Sequence, residues 1–72
     1  MNRNKEKIEM EGEVIKTFPS VQFEVELDNG QKIRAYLSGK MVIHRINVMA
    51  GDRVIVEMSP YDLTKGRITR RL

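Results

Sequence analysis

The sequence predicts an all-β fold, a five-stranded barrel with one short helix between its third and fourth strands. Apolar and polar residues alternate through most of the 72 residues, with the period of two that is typical of strands with one buried face. Turns containing glycine or proline separate the alternating runs. One segment, residues 38–44, breaks the alternation and begins like a helix.

The first three strands are expected to form a meander over residues 8–18, 21–27 and 31–37. Asp28-Asn29-Gly30 supplies residues that tolerate a positive φ angle, as a tight hairpin turn requires. Gly12 interrupts the first strand at an inward position, and a bulge or bend there would let this strand pair on both sides. The residues predicted to point inward are Ile8, Met10, Val14, Val21, Phe23, Val25, Leu27, Ile33, Ala35 and Leu37.

The segment after the third strand is predicted to start with a helix. Ser38 is a typical N-cap, and residues 39–44 would form one to two helical turns. Residues 45–49 are expected to be extended or irregular. The apolar residues expected to close the barrel end are Val42, Ile46 and Met49.

Two more strands are predicted after this segment. Gly51-Asp52 turns the chain into a strand over residues 53–58, which ends at Ser59-Pro60. Residues 61–66 are expected to form a polar connection, and residues 67–71 a short final strand. Three meander strands, a helix and two strands are the order of the OB-fold barrel, whereas the alternative, an SH3-like barrel, lacks a helix at that position.

Charge is distributed unevenly along the chain. Residues 1–31 contain four lysines and arginines against seven acidic residues, a net charge of −3. Residues 32–72 contain nine against three, a net charge of +6. This asymmetry indicates a polyanionic partner for the second half of the chain, and we favour a nucleic acid.

Catalysis, metal binding and cofactor binding are not expected. The chain has no cysteine and one histidine, so it lacks the common catalytic and metal-binding constellations. Its five glycines are isolated and form no phosphate-binding loop. No run of 18 apolar residues could span a membrane, and no apolar run follows the basic N-terminus as in a signal peptide. We therefore expect a non-enzymatic cytoplasmic protein, or one of an organelle stroma if it is plastid-encoded.

Candidate RNA-binding side chains fall in three places. Arg34 and Tyr36 alternate outward on the third strand with Lys32, which offers cations for phosphates and a ring for an unpaired base. The second strand points two glutamates outward, and these would repel phosphate. The helical segment and the basic C-terminal stretch supply the other candidates. The full set is Arg34, Tyr36, Lys40, His44, Arg45, Tyr61, Lys65, Arg67, Arg70 and Arg71.

Four segments of the chain resemble bacterial-type translation initiation factor one. They are IEMEGEV, FEVELDNG, YLSGKM and GDRVIVEMSPYDLTKGRI, and they cover nearly the whole chain in the family's order. The resemblance implies one OB domain over residues 1–72, of which we expect residues 1–6 to be flexible. It also implies RNA contacts after the third strand and near the C-terminus, at positions that here carry Lys40, Arg45, Tyr61, Lys65 and Arg67.

The resemblance further implies a role in starting protein synthesis. Members of this family bind the small ribosomal subunit in its decoding (A) site, where they contact 16S-type ribosomal RNA and a neighbouring ribosomal protein. They block premature occupancy of that site, support initiator tRNA placement and act with the two larger initiation factors. They use no cofactor and catalyse no reaction. Off the ribosome we expect a monomer.

This chain departs from the family's usual pattern inside the helical segment. Val42 and Ile43 stand where two cations are usual, and Asn47 stands where an arginine is usual. On the residues alone, two other functions stay open. One is a general single-stranded RNA-binding OB protein such as an RNA chaperone, and the other is a protein–protein adaptor whose acidic first half is the working surface.

Overall fold

Five strands and one short helix make up the structure, a computed structural model that describes residues 7–72. The expected flexibility of residues 1–6 lies outside the described residues. The elements are β1 (Ile8–Phe18), β2 (Gln22–Leu27), β3 (Lys32–Leu37), α1 (Gly39–Ile43), β4 (Arg53–Ser59) and β5 (Asp62–Arg71).

The strands close into a barrel with the order β1-β2-β3-β5-β4, and β4 pairs with β1 to complete the ring. Strand β3 runs parallel to β5, and the other four pairs are antiparallel. The helix lies between β3 and β4 in the chain. This is the architecture of the OB fold, so the predicted fold class is confirmed.

Strand β1 pairs with β2 on one side and β4 on the other, and Gly12 lies at the start of this double pairing. Gly12 faces Leu27 of β2 and Val54 of β4. A Cβ atom at this position would lie 2.7 Å from the Glu26 carbonyl oxygen and 2.8 Å from a Val25 methyl carbon, so only glycine allows the strands to approach this closely. The register shift along β1 comes after Gly12, between Val14 and Lys16.

The barrel interior is filled by the inward side chains of all five strands. The predicted alternation is confirmed for β2 and β3, with one exception. Val21 is exposed, because Ser20 and Val21 both adopt positive φ angles in the turn and β2 begins only at Gln22. The buried core is Val14, Phe23, Val25, Leu27, Ile33, Ala35, Met41, Val54, Val56, Met58 and Ile68.

Met41 closes the barrel end, and the prediction that Val42 and Met49 would do so was wrong. Both of those side chains are exposed, whereas Met41 is buried and Ile46 packs partly against the core. The helix is only five residues long and begins at the predicted N-cap, where Ser38 Oγ accepts a hydrogen bond from the Met41 amide. One turn of helix directs a single side chain inward. The helix therefore has no extended apolar face.

Strand β5 is longer than predicted, and the expected connection over residues 61–66 is mostly strand. Ser59 pairs with Asp62, so the turn between β4 and β5 is reduced to Pro60 and Tyr61. The sequence shows no apolar alternation in this half of β5, because its buried residue, Gly66, has no side chain. A Cβ atom there would lie 2.4 Å from a Val56 methyl carbon, which explains the glycine.

Candidate nucleic-acid interface

The parallel pairing of β3 with β5 brings together four of the predicted RNA-binding residues. Arg34 lies opposite Lys65, and Tyr36 lies opposite Arg67. Residues paired across strands share a face of the sheet, and here the buried neighbours Ala35 and Gly66 fix that face as the outer one. Arg34, Tyr36, Lys65 and Arg67 were predicted from separate segments, and they lie together on one outer wall of the barrel.

An open groove of about 530 Å³ runs along this wall, and we call it the β3–β5 groove. Tyr36 and Tyr61 both line it, and their side chains are 51% and 88% exposed. Lys65 and Arg67 also line the groove and supply positive charge there. Exposed aromatic rings next to cations are the combination that binds single-stranded nucleic acid, since the rings stack on bases while the cations contact phosphates.

Three charged residues that line the β3–β5 groove lie outside the predicted set of site residues, Lys7, Glu57 and Asp62. The Arg67 guanidinium donates a hydrogen bond to Glu57 Oε1, and Lys7 Nζ lies 3.6 Å from the same oxygen. The hydrogen bond from Arg67 holds the pKa of the Glu57 carboxyl below its ordinary value. Glu57 therefore stays charged and offsets part of the positive charge. Its outward position follows from the alternation in β4, which is the signal that could have identified it.

The helical candidates lie at one end of the barrel. Lys40, His44 and Arg45 are all exposed, on α1 or directly after it. The Ser38 amide donates to the Ile68 carbonyl at 2.9 Å, which fixes the start of α1 beside the later part of β5. Tyr61 precedes the other end of β5, so the candidates extend along that strand for roughly 30 Å, the length of ten extended residues.

The two C-terminal arginines have different environments. Arg70 is exposed and pairs in register with Ile55, and its side chain forms no ion pair with another of residues 7–72. Arg71 pairs with Val54, and its Nη1 donates to the Asn47 carbonyl at 2.7 Å. Arg71 therefore ties β5 to the segment after α1, and Arg70 is the more available for a ligand.

The side chain of Arg34 is held by residues of β1 and β2, on the side of β3 that faces away from β5. Its Cζ atom lies 4.2 Å from the centroid of the Phe18 ring, and its Nη1 donates to Gln22 Oε1 at 2.8 Å. The sequence placed Arg34 on an outward face but gave no indication of either partner.

The wall formed by β1 and β2 is acidic. Glu13 faces Glu26 across the two strands, and Glu24 is the next outward residue along β2. At the edge of this wall, Arg53 donates hydrogen bonds to Glu11 at 2.9 Å and to Asp28 at 2.7 Å. Both bonds raise the pKa of Arg53, and the bond to Asp28 has the larger effect. The expected repulsion of phosphate by β2 is consistent with this arrangement.

Within residues 7–72, no group of three or more histidine or acidic side chains is arranged to hold a metal ion. Over the same range, α1 is the only helix, and it is too short to cross a membrane.

Known proteins resemble this chain both in family and in fold. The sequence matches the family described as Translation initiation factor 1A / IF-1 over residues 1–72. The fold is similar to the solution structure of translation initiation factor IF-1 from the Wolbachia endosymbiont strain TRS of Brugia malayi, with a TM-score of 0.80 and 45% identity, covering 99% of this chain and 84% of that one. It is also similar to part of YjeQ from Thermotoga maritima, with a TM-score of 0.71 and 29% identity, covering 90% of this chain and 23% of that one.

Proposed function

The chain belongs to the translation initiation factor 1A/IF-1 family, and we propose that it binds the small ribosomal subunit at the decoding (A) site. There it contacts 16S-type ribosomal RNA and an adjacent ribosomal protein. It blocks premature occupancy of the site, supports initiator tRNA placement and acts with the two larger initiation factors. The observation that carries the proposal is the family match over residues 1–72, together with 45% identity to a solved initiation factor.

The β3–β5 groove supports RNA as the direct partner. Lys65 and Arg67 contact phosphates and displace the counterions that these phosphates hold in the free RNA. Tyr36 and Tyr61 stack on unpaired bases, each for about 1–3 kcal/mol. Arg70 extends the cationic path along β5, and the exposed cations of α1 extend it around the barrel end. In this group Lys40 and Arg45 contact phosphates and His44 contributes a ring.

Arg71 has a positioning role in this proposal. Its bond to the Asn47 carbonyl holds the segment after α1 against β5. Because that segment carries Arg45 two residues earlier, the bond helps to orient the helical cations relative to the groove. The remaining donors of Arg71 stay available for RNA.

Occlusion of the decoding site requires a rigid body rather than a reacting group. The described residues form a closed barrel with extents of 36 × 29 × 21 Å. Closure gives each of the five strands a neighbour on both sides over part of its length, so the barrel resists deformation. In this proposal the protein is a monomer off the ribosome. It acts without a cofactor and without catalysis, in the cytoplasm or an organelle stroma.

Binding to purified small ribosomal subunits tests this function. We expect near-stoichiometric binding and a footprint confined to decoding-site RNA, with weaker binding to free oligonucleotides. Equal affinity for unstructured oligonucleotides of many sequences would instead identify an RNA chaperone. Binding that is insensitive to RNA would identify a protein–protein adaptor.

A further inference from the structure

Arg34 is prepared for a ligand by two neighbours that hold its guanidinium, an aromatic ring and an amide oxygen. Phe18 lies beneath its guanidinium and Gln22 accepts one of its five N–H donors, so the side chain is held in one position before any partner arrives. Long cationic side chains lose rotamer freedom when they bind. A side chain that is already fixed loses less.

The charge of Arg34 is also left without an opposing partner. The ion pairs within residues 7–72 join Lys7 or Arg67 to Glu57, and Arg53 to Glu11 or Asp28. Arg34 takes part in none of them, although Glu24 faces it across β2 and β3. Its side chain turns instead toward Gln22, which is uncharged.

The cross-strand rows explain why this direction matters. One row runs from Tyr36 through Gln22 to Phe18 and contains no carboxylate. The next row runs from Arg34 through Glu24 to Lys16, and the one after it brings Lys32 opposite Glu26. The first row is therefore the only one of the three along which an RNA backbone could run from Tyr36 to β1 without meeting an acidic side chain.

We propose that the RNA surface continues from Tyr36 across Gln22 to Phe18, and that Arg34 binds one nucleotide of unpaired RNA there. The base stacks on the exposed ring of Tyr36, and the phosphate accepts hydrogen bonds from the free donors of Arg34. Phe18 and Gln22 are positioning residues that act through Arg34. The inference rests on the proposed function, because it assumes ribosomal RNA as the partner of this wall.

The first test compares two cations on the same strand and the same face. Arg34→Gln and Lys32→Gln remove equal charge from exposed positions of β3. With purified small ribosomal subunits as the probe, we expect Arg34→Gln to lower affinity about tenfold and Lys32→Gln less than about twofold. Equal losses in the two variants would overturn the inference, because they would reflect net charge alone.

The second test asks whether Phe18 acts through Arg34. Phe18→Leu keeps an apolar side chain but removes the ring. We expect it to lower subunit affinity about threefold in the wild-type background and not at all in the Arg34→Gln background. Equal losses in both backgrounds would overturn the positioning role. Circular dichroism melting identifies variants that lose affinity through unfolding, and Arg34→Gln, at an exposed site, remains informative if Phe18→Leu is destabilised.

Failure of this inference can be distinguished from failure of the proposed function. If the wild-type protein binds subunits and loses affinity when Lys65 is neutralised, but Arg34→Gln behaves like Lys32→Gln, then the function stands and the extension toward Phe18 is wrong. If the wild-type protein does not bind subunits at all, both proposals are wrong.

Discussion

The β3–β5 wall and the β1–β2 wall of the barrel are built from the same alternation but differ in how their charges are arranged. On the β3–β5 wall, Lys65 and Arg70 have no side-chain ion pair within residues 7–72. At the edge of the β1–β2 wall, Arg53 is bonded to two carboxylates at once. Both arginines are accessible, so exposure alone does not identify a binding cation. The carboxylates around it decide whether its charge is available.

The largest expected effect comes from salt. If the β3–β5 wall neutralises about four phosphates, subunit affinity should fall about 100-fold between roughly 50 and 200 mM monovalent salt. Affinity measured by filter binding or fluorescence anisotropy across this range gives the slope of a log–log plot. A flat plot would contradict the electrostatic role of this wall.

The next effect compares the two walls directly. Lys65→Gln with Arg70→Gln should lower subunit affinity about 10–30-fold, since each change removes a cation whose cross-strand neighbour is not a carboxylate. Lys16→Gln with Lys32→Gln is the matched control, because it removes the same charge opposite Glu24 and Glu26. We expect the control to change affinity by less than about threefold. Similar losses for the two pairs would abolish the distinction between the walls.

Glu57 and Asp62 are carboxylates in the lining of the β3–β5 groove, and replacement of Glu57 should change affinity in the opposite direction. Glu57→Gln removes a carboxylate that faces the bound phosphates and releases Arg67 and Lys7, so we expect subunit affinity to rise about threefold. Glu13→Gln removes the same charge from the acidic wall and should have less effect. A loss of affinity in Glu57→Gln would mean that the ion pair holds Arg67 in its binding position.

The sequence predicted the barrel wall well because alternation is a local property. Inward positions such as Val25 and Ile33 are encoded by their immediate neighbours, and so are the outward positions of Lys32, Arg34 and Tyr36. Ser38 carried an equally local capping signal. These features need no knowledge of which strands pair.

The composition of the groove could not be predicted because it depends on which strands are neighbours. The parallel pairing of β3 with β5 brings Arg34 next to Lys65, thirty-one positions later in the chain. Nothing local to either residue encodes that register. The choice of Met41 over Val42 at the barrel end likewise depends on where a single helical turn docks against the core. Tertiary closure therefore determines which of the outward cations act together.

The smallest effect is on stability, and it concerns the carboxylate of Glu57. The hydrogen bond from Arg67 lowers the pKa of Glu57 below its ordinary value of 4.5, so folding favours the charged carboxylate. Its contribution to stability is present above that ordinary value and is lost as pH falls through the lowered pKa of the folded state. Urea unfolding of the wild type and Glu57→Gln, measured in steps from about pH 6 to about pH 3, follows this contribution as the difference between the two curves. We expect the advantage of the wild type at pH 6 to shrink on acidification. An unchanged difference at the lowest pH would show that the carboxylate stabilises the fold by packing and not by its charge.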